Sequence, residues 1–412
     1  MNYTVIGAGR SGLSAALLAK ELGHNVFLTE SKDREEYPEA YAKLNEAGIE
    51  CEFYGNTERA LENCDCIITS PGVPPTAWII KEAENRGIRI IAELEFARAL
   101  CPDNPLIAIT GTNGKTTTTT LIAYILNRAG KKAIALGNIG TPLSSYVRGL
   151  DPDTILVAEV SSYQLDRIET FRPDVAIILN ITPDHIAYHG SFENYKLAKY
   201  KIFMNQNENN LLILNYDDEP ARSAAACTKA RIAGFSEDNA DWGICVDEGR
   251  LVIRGIPPGL PNDKHIEEEV LMLIDEIRIP GMHNAYNSMA AALAARAFEI
   301  RNEDIRDSLM AFQGVEHRLE HVRSFGGVEY INDSKATNVN ATWYALSSYT
   351  KPIIWIAGGR GDSNDYAPLD GLVAKNVKAI VAIGEEADNI FNHFCLAKDR
   401  KSTRLNSSHR IR

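Results

Sequence analysis

Ile109-Thr110-Gly111-Thr112-Asn113-Gly114-Lys115-Thr116 is the stretch that decides the fold. An apolar run, Leu106 to Ile109, leads into it and reads as a buried strand. Thr117 to Asn127 follows and reads as a helix. A strand, a glycine turn and a helix N-terminus make an anion cradle. Backbone N–H groups and the helix dipole converge there, and glycine lets the main chain approach phosphate oxygens. Lys115 is placed to reach terminal phosphates and the Thr116 hydroxyl to ligate Mg²⁺. Gly111, Thr112, Asn113, Gly114 and Thr117 complete the expected nucleotide contacts. The match to G-x-x-x-x-G-K-[ST] is incomplete, because Ile109 holds the first glycine position. A Gly-Lys turn on an ordinary βα unit is the alternative.

Downstream, Ala133 to Leu136 reads as a strand ending in Gly137-Asn138-Ile139-Gly140. Ile155 to Glu159 is a strand that delivers Glu159 at its carboxyl end, where a carboxylate can ligate Mg²⁺ or make an ordinary salt bridge. Val175 to Asn180 is a further strand, followed by Ile181-Thr182-Pro183-Asp184-His185. Neutral imidazole is a common metal ligand, but a lone histidine is more often structural. Phe192 to Phe203 reads as a helix carrying Lys196, Lys199 and Lys201, which spacing alone assigns to a solvated face. Leu211 to Asn215 is a strand, residues 236 to 278 alternate short strands with polar turns, and Ala285 to Phe298 is an alanine-rich helix.

Upstream, Tyr3 to Ile6 is a strand running into Gly7-Ala8-Gly9-Arg10-Ser11-Gly12, a G-x-G-x-x-G. Leu13 to Leu22 is a helix, and Val26 to Leu28 a strand ending near Glu30 and Ser31. This is the dinucleotide fingerprint, with an acid about 20 residues on to hold a ribose. It reports a phosphate-bearing ligand at a helix N-terminus; NAD and a UDP-sugar satisfy it equally, and a domain of this type without a ligand is also consistent with it. The strand Cys66 to Thr69 ends in Ser70-Pro71-Gly72-Val73-Pro74, at the edge where open α/β sheets bind ligands. Ala77 to Asn85 reads as a helix and Ile88 to Ile91 as a strand.

Beyond Glu316-His317-Arg318-Leu319, the strand Val328 to Ile331 runs into Asn332-Asp333-Ser334-Lys335-Ala336-Thr337-Asn338, a polar turn suited to phosphate or carboxylate. Pro352 to Ala357 and Val377 to Ile383 are further strands, and repeated βα units predict another doubly wound sheet. The reading is thus an α/β chain of three domains: a Rossmann-like one over 1–95, a P-loop mononucleotide-binding one over 96–314, and an incomplete Rossmann-like one over 315–400. Residues 401–412, basic and rich in serine, have no periodicity and read as a disordered foreign tail on a truncated gene.

The 412 residues carry a net charge of −12, and the lysines and arginines are scattered, which argues against a nucleic-acid track. Seven cysteines with no CxxC pair fit a reducing compartment. Met1 enters a strand almost at once, and no signal peptide or apolar run long enough for a membrane span occurs, so a cytoplasmic, membrane-free protein is expected.

Three separated motifs, Thr110 to Thr116, Glu159-Val160-Ser161-Ser162-Tyr163-Gln164 and Asn332 to Asn338, together resemble the Mur ligases of peptidoglycan synthesis. The resemblance covers about residues 1 to 400 and points to the branch that joins D-glutamate to UDP-N-acetylmuramoyl-L-alanine. It implies ATP-driven amide formation through an acyl phosphate, carried out by a monomer. By motif, Lys115 and Thr116 hold the triphosphate, Thr116 and Glu159 one Mg²⁺, and His185 with a carbamylated Lys199 a second. Lys115, Glu159, His185 and Lys199 are thereby the catalytic set. Asn287, Arg318 and Asp333 match nucleotide contacts; Asn138, Lys335 and Thr337 match substrate contacts. Arg10, Ser11, Gly12, Glu30, Ser31, Ser70 and Gly72 match the uridine-diphosphate site. Ala187 and Tyr188 stand where the family often has an Asp-Arg pair, and Asp362 where some relatives place a lysine. The rival readings are an NAD-dependent oxidoreductase built on Gly7 to Gly12 and a non-catalytic nucleotide-binding protein. Neither accounts for the second phosphate loop together with Glu159 and His185.

Overall fold

Short runs of Val, Ile and Leu, apolar at every position, can be buried on both faces and so pair as parallel strands beneath covering helices. A computed structural model of the chain describes residues 1–238, 242–255, 268–361, 364–395 and 402–404. They fall into two compact units: Met1–Ile277 with Tyr286–Phe312, and Arg278–Ala285 with Gln313–Arg412.

The first unit holds two sheets. Strands β1 (Asn2–Ile6), β2 (Asn25–Thr29), β3 (Glu50–Glu52), β4 (Cys66–Thr69) and β5 (Arg89–Ala92) are all parallel, in the order β3-β2-β1-β4-β5. Alternate side chains feed opposite layers: Val5, Leu28 and Ile68 pack on one face, Ile6 and Ile67 on the other with Ile79 and Ile80 of helix Trp78–Asn85. The strand order reverses between β1 and β4, so the carboxyl ends of those two strands bound the crevice where such sheets take ligands.

Helix Glu93–Arg98 follows β5 directly, and the expected boundary at residue 95 falls inside it. Its two acids are buried and turned toward the next sheet. Glu93 accepts from Ser144 N at 2.7 Å. Glu95 accepts from the backbone N–H groups of Glu169, Thr170 and Phe171 and from the Thr170 hydroxyl.

The second sheet comprises β6 (Leu106–Thr110), β7 (Ala133–Gly137), β8 (Ile155–Glu159), β9 (Val175–Ile178), β10 (Leu211–Asn215), β11 (Arg231–Ser236), β12 (Gly243–Asp247), β13 (Arg250–Ile253) and β14 (Glu269–Leu273). Its order is β14-β13-β12-β11-β10-β9-β6-β8-β7. β6 to β12 are parallel, and β13 and β14 extend the edge antiparallel, which is the alternation of strands and turns expected over 236 to 278. β6 lies between β8 and β9 and is buried throughout.

In the second unit, β15 (Glu320–Phe325) and β16 (Val328–Asn332) form an antiparallel hairpin. Gly326 and Gly327, at φ 59° and 78°, make its two-residue turn, a conformation that glycine reaches without a Cβ penalty. Val328 to Ile331, read as a strand running into a polar turn, is the returning arm of this hairpin: the Gly-Gly pair folds it back on its predecessor. β17 (Ile353–Gly359), β18 (Val377–Gly384) and β19 (Ser402–Arg404) form a separate parallel sheet. Its core joins Leu346, Leu369, Val373, Ile380 and Phe394.

Within the stretch 401–412, read as a disordered tail, Ser402–Arg404 form β19. Ser402–Arg404 pair with Ile380, Val381 and Ala382, because an open strand edge offers its N–H and C=O groups to any extended segment. The rest of that tail and Asp362 lie outside the described residues. No described helix is long and apolar enough to cross a membrane.

Candidate active site

The loop after β6 turns on two glycines, Gly111 at φ 156° and Gly114 at φ 86°. A Cβ at Gly114 would run into Asn287 Oδ1, and one at Gly111 would sit 3.0 Å from the Leu179 side chain. Any other residue here would push the loop off its supports. Asn287 also accepts from the Thr118 hydroxyl at 3.2 Å, which fastens the phosphate-loop helix Lys115–Arg128 to a second helix, Met282–Ala297. Asn180, just past β9, holds the loop from the other side. It takes Thr112 N on its carbonyl at 2.9 Å and Asn113 N on its side chain at 2.8 Å. Thr116 and Thr117 occupy the buried first turn of the helix.

β8 pairs with β6 so that Glu159 stands opposite Ile109, at the mouth of the loop. Glu159 is 3% exposed and both its oxygens are engaged. Thr116 Oγ1 donates to Oε2 at 2.7 Å, and Asn138 Nδ2 to Oε1 at 2.9 Å. Asn138, expected on substrate, thus also orients the carboxylate. A hydroxyl and a carboxylate side by side are the hard oxygen donors that Mg²⁺ prefers.

Lys115 Nζ donates to the carbonyls of Gly111 and Thr112, both at 2.8 Å. Lys199, expected from spacing on a solvated face, is instead 1% exposed, and its Nζ donates to Gly111 O at 2.9 Å. Burial holds the Lys199 amine well below its ordinary pKa, and the neighbouring Lys115 charge adds to this, against Asp184 and Glu159.

His185 sits on the turn beyond β9 at φ 52°, its Nδ1 3.6 Å from Asp184 Oδ1 and its ring 5.1 Å from that of Tyr163. Among the described residues, no three His, Cys, Asp or Glu side chains converge as a metal cluster. The chain therefore brings together Lys115, Thr116, Asn138, Glu159, Lys199 and Asn287, with His185 at the rim.

The first sheet carries its own glycine loop. Gly12 packs so tightly that a Cβ would overlap Gly7 O, and a Cβ on Gly7 would meet Ser70 Oγ at 2.8 Å. The loop after β1 and the turn after β4, with Gly72 at φ 91°, therefore meet at the strand-order reversal. Arg10 and Ser11 open the helix there, and Arg10 Nη1 reaches Gly140 O at 3.3 Å, beside Asn138. Glu30, expected on a ribose, is buried. Its carboxylate accepts from Ala8 N at 2.8 Å, Lys32 N at 3.0 Å and the Ser31 hydroxyl at 3.2 Å, tying the glycine loop to the end of β2.

Arg318, Asp333, Lys335 and Thr337 belong to the second unit and flank its hairpin. Asp333 accepts from Leu319 N at 3.2 Å; burial raises its pKa, with Arg318 opposing. Lys335 N bonds His317 O, and Thr337 precedes Asn338, the side-chain cap of helix Val339–Ser347. Spacing did not pick out Asn180 as a loop support. The signal available was its place at the carboxyl end of the strand beside β6.

Comparisons with known proteins follow the same division. A profile of the Mur ligase MurD-like N-terminal domain matches residues 1–92, and one of the Mur ligase middle domain matches 109–295. A UDP-N-acetylmuramoylalanine–D-glutamate ligase of Salinibacter ruber is 46% identical over 398 residues, spanning 94% of this chain and 84% of its own. The protein of that name from Chloroherpeton thalassium is 41% identical, over 99% of this chain and 89% of its own. Among solved structures, UDP-N-acetylmuramate-alanine ligase MurC from Thermotoga maritima shares the fold at TM-score 0.61 and 18% identity, covering 98% of this chain and 90% of that one. A MurF ligase from Thermotoga maritima, solved in complex with ADP, shares it at TM-score 0.55 and 14% identity, covering 92% and 90%.

Proposed function

From the premise that the chain belongs to the Mur ligase family, among the UDP-N-acetylmuramoylalanine–D-glutamate ligases, we propose that it joins D-glutamate to UDP-N-acetylmuramoyl-L-alanine at the expense of ATP. The observation that carries this reading is the Thr116–Glu159–Asn138 chain at the mouth of the phosphate loop. An NAD oxidoreductase has no use for it.

The glycine loop and helix N-terminus cradle the triphosphate, and Lys115 turns from its backbone acceptors to the phosphates as a point charge. Thr116 and Glu159 are the residues that would hold one Mg²⁺, and His185 and Lys199 a second. The Thr116 hydroxyl and the Glu159 carboxylate are oxygen donors that fit a hard cation, and burial, by lowering the Lys199 pKa, favours the uncharged amine that takes up CO₂ as a carbamate, which would bring oxygen donors to the second position. Bound Mg²⁺ supplies charge neutralisation on the transferring phosphoryl group. The L-alanyl carboxylate displaces ADP from the γ-phosphate to give an acyl phosphate. The D-glutamate amine then attacks the acyl carbon, phosphate leaves, and the amine gives up a proton.

On the first sheet, Arg10, Ser11, Gly12, Ser70 and Gly72 line the crevice for the uridine diphosphate, with Glu30 and Ser31 bracing it. Arg318, Asp333, Lys335 and Thr337 supply the contacts to nucleotide and incoming amino acid expected of the second unit. The test is ADP release with UDP-N-acetylmuramoyl-L-alanine and a panel of amino acids. D-glutamate-dependent release is expected. Release that ignores the amino acid, or NAD(H) binding at the first sheet without UDP-sugar binding, would overturn the reading.

A further inference from the structure

Tyr195 lies where three parts of the site meet, and no motif marks it. It sits one turn before Lys199 on helix Phe192–Tyr200 and is 1% exposed. Its hydroxyl is 3.1 Å from Thr112 Oγ1, inside the phosphate loop. Thr112 Oγ1 also receives Thr182 N at 3.0 Å and lies 3.1 Å from Thr182 O. A threonine hydroxyl has one proton to give and two lone pairs to share. All three contacts are satisfied only when Thr112 donates to Thr182 O and the Tyr195 hydroxyl donates to Thr112. The same ring presents its face to Lys199 Nζ, 4.6 Å from the centroid, and borders His189 and His185 at 5.3 and 6.3 Å between centroids.

We propose that Tyr195 is a positioning residue of the ligation, fixing the phosphate loop through Thr112 and the Lys199 amine through its ring face. The proposal rests on the ligase reading above. Thr112 is one of the two loop residues whose carbonyls receive Lys115, and Thr182 begins the segment that carries Asp184 and His185. One side chain therefore sets the register of the lysine that meets phosphate, the buried lysine, and the turn bearing the histidine. Apolar packing alone would not require a hydroxyl at this point, because a phenyl ring fills the same volume.

The experiment separates the two halves of the side chain. Tyr195→Phe keeps the ring and removes the hydroxyl. ADP affinity, measured by calorimetry, should fall about 5- to 10-fold, the value of one hydrogen bond. The KM for UDP-N-acetylmuramoyl-L-alanine, whose crevice lies on the first sheet, should stay within about twofold. Tyr195→Leu also removes the ring that packs against Lys199, and kcat should then fall by about tenfold or more, the scale of a misplaced site group. Combining Tyr195→Phe with Thr112→Ala should cost no more ADP affinity than Thr112→Ala alone, because the hydroxyl acts through Thr112. Wild-type ADP affinity in Tyr195→Phe, or additive losses in the double variant, would overturn the proposal, whatever happens to the melting temperature. Wild-type protein that binds no ADP would instead remove the ligase reading, and the proposal with it.

Discussion

Lys115 and Lys199 donate to one carbonyl oxygen, that of Gly111, at 2.8 and 2.9 Å. They arrive from the first turn of one helix and the last turn of another. Two ammonium charges on a single acceptor repel strongly away from water. Burial pushes the Lys199 amine well below its ordinary pKa, and the Lys115 charge beside it adds to the shift. The Gly111 peptide thus stands between the lysine of the phosphate-loop helix and a second lysine whose charged form burial disfavours.

Lys115→Ala should reduce ADP release by about 100-fold or more, the scale of losing one preorganised charge at a transferring phosphoryl group. Far-UV circular dichroism should be unchanged, since the hydrogen bonds that Lys115 donates to Gly111 and Thr112 stay within its own loop. Near-wild-type release would show that the phosphates bind elsewhere.

Glu159→Ala should raise the Mg²⁺ concentration for half-maximal activity by about tenfold or more, and Asn138→Ala should do so more mildly. Asn138 acts on the carboxylate through one 2.9 Å bond and leaves the carboxylate itself in place. Mg²⁺ titration of ADP release checks both. Equal half-points for the variants and the wild type would place the cation site away from β8.

Glu95→Ala should cost about 3 kcal/mol of stability, read from urea denaturation. The buried carboxylate answers three backbone N–H groups and one hydroxyl of residues 169 to 171, and alanine leaves them all unpaired. A loss no larger than that of a surface Glu→Ala control would mean that those donors find water.

Two groups that folding draws away from water give the units opposite responses to pH. Burial raises the Glu93 pKa above its ordinary 4.5, so the folded chain keeps this proton longer than the unfolded one. Its stabilisation is complete below about 4.5 and is lost as pH rises through the folded value. Glu93→Gln should therefore flatten that part of the stability–pH curve. His283, in the second unit, is pushed down from 6.5 to about 4 by burial. Its contribution is complete above 6.5 and declines as pH falls toward 4. His283→Gln should remove that decline. Urea midpoints followed from pH 4 to pH 8 decide both; an unaltered slope in either variant would count against the assigned residue.

The strands of both nucleotide-type sheets were legible because their apolar runs are continuous and stop at a polar residue, Thr69, Glu159 or Asn215. Cys66–Thr69, Ile155–Glu159 and Leu211–Asn215 fold over the spans their composition predicts. Glu159 was legible for the same reason: a carboxylate at a strand's carboxyl end has few other places to point. Lys199 was not, because three lysines on one helix look alike until tertiary packing buries one of them. Glu95 and Tyr195 bear no motif at all, since their partners lie 74 and 83 residues away in the chain. The hairpin at Gly326-Gly327 carried a readable turn signal, and it was outweighed by the series of βα units around it.

Helix Glu93–Arg98 has a consequence for anyone recombining such chains. Its first residue follows the last strand of one sheet, and its acids are bonded to loops of the next. A graft that exchanges the first sheet and is cut beyond Arg98 carries a foreign helix with it, separates the native helix from its sockets and sets foreign side chains against Ser144 and Thr170. The module that can be transplanted intact is therefore the helix together with its receiving loops, and the seam belongs on the strand side, between Ala92 and Glu93.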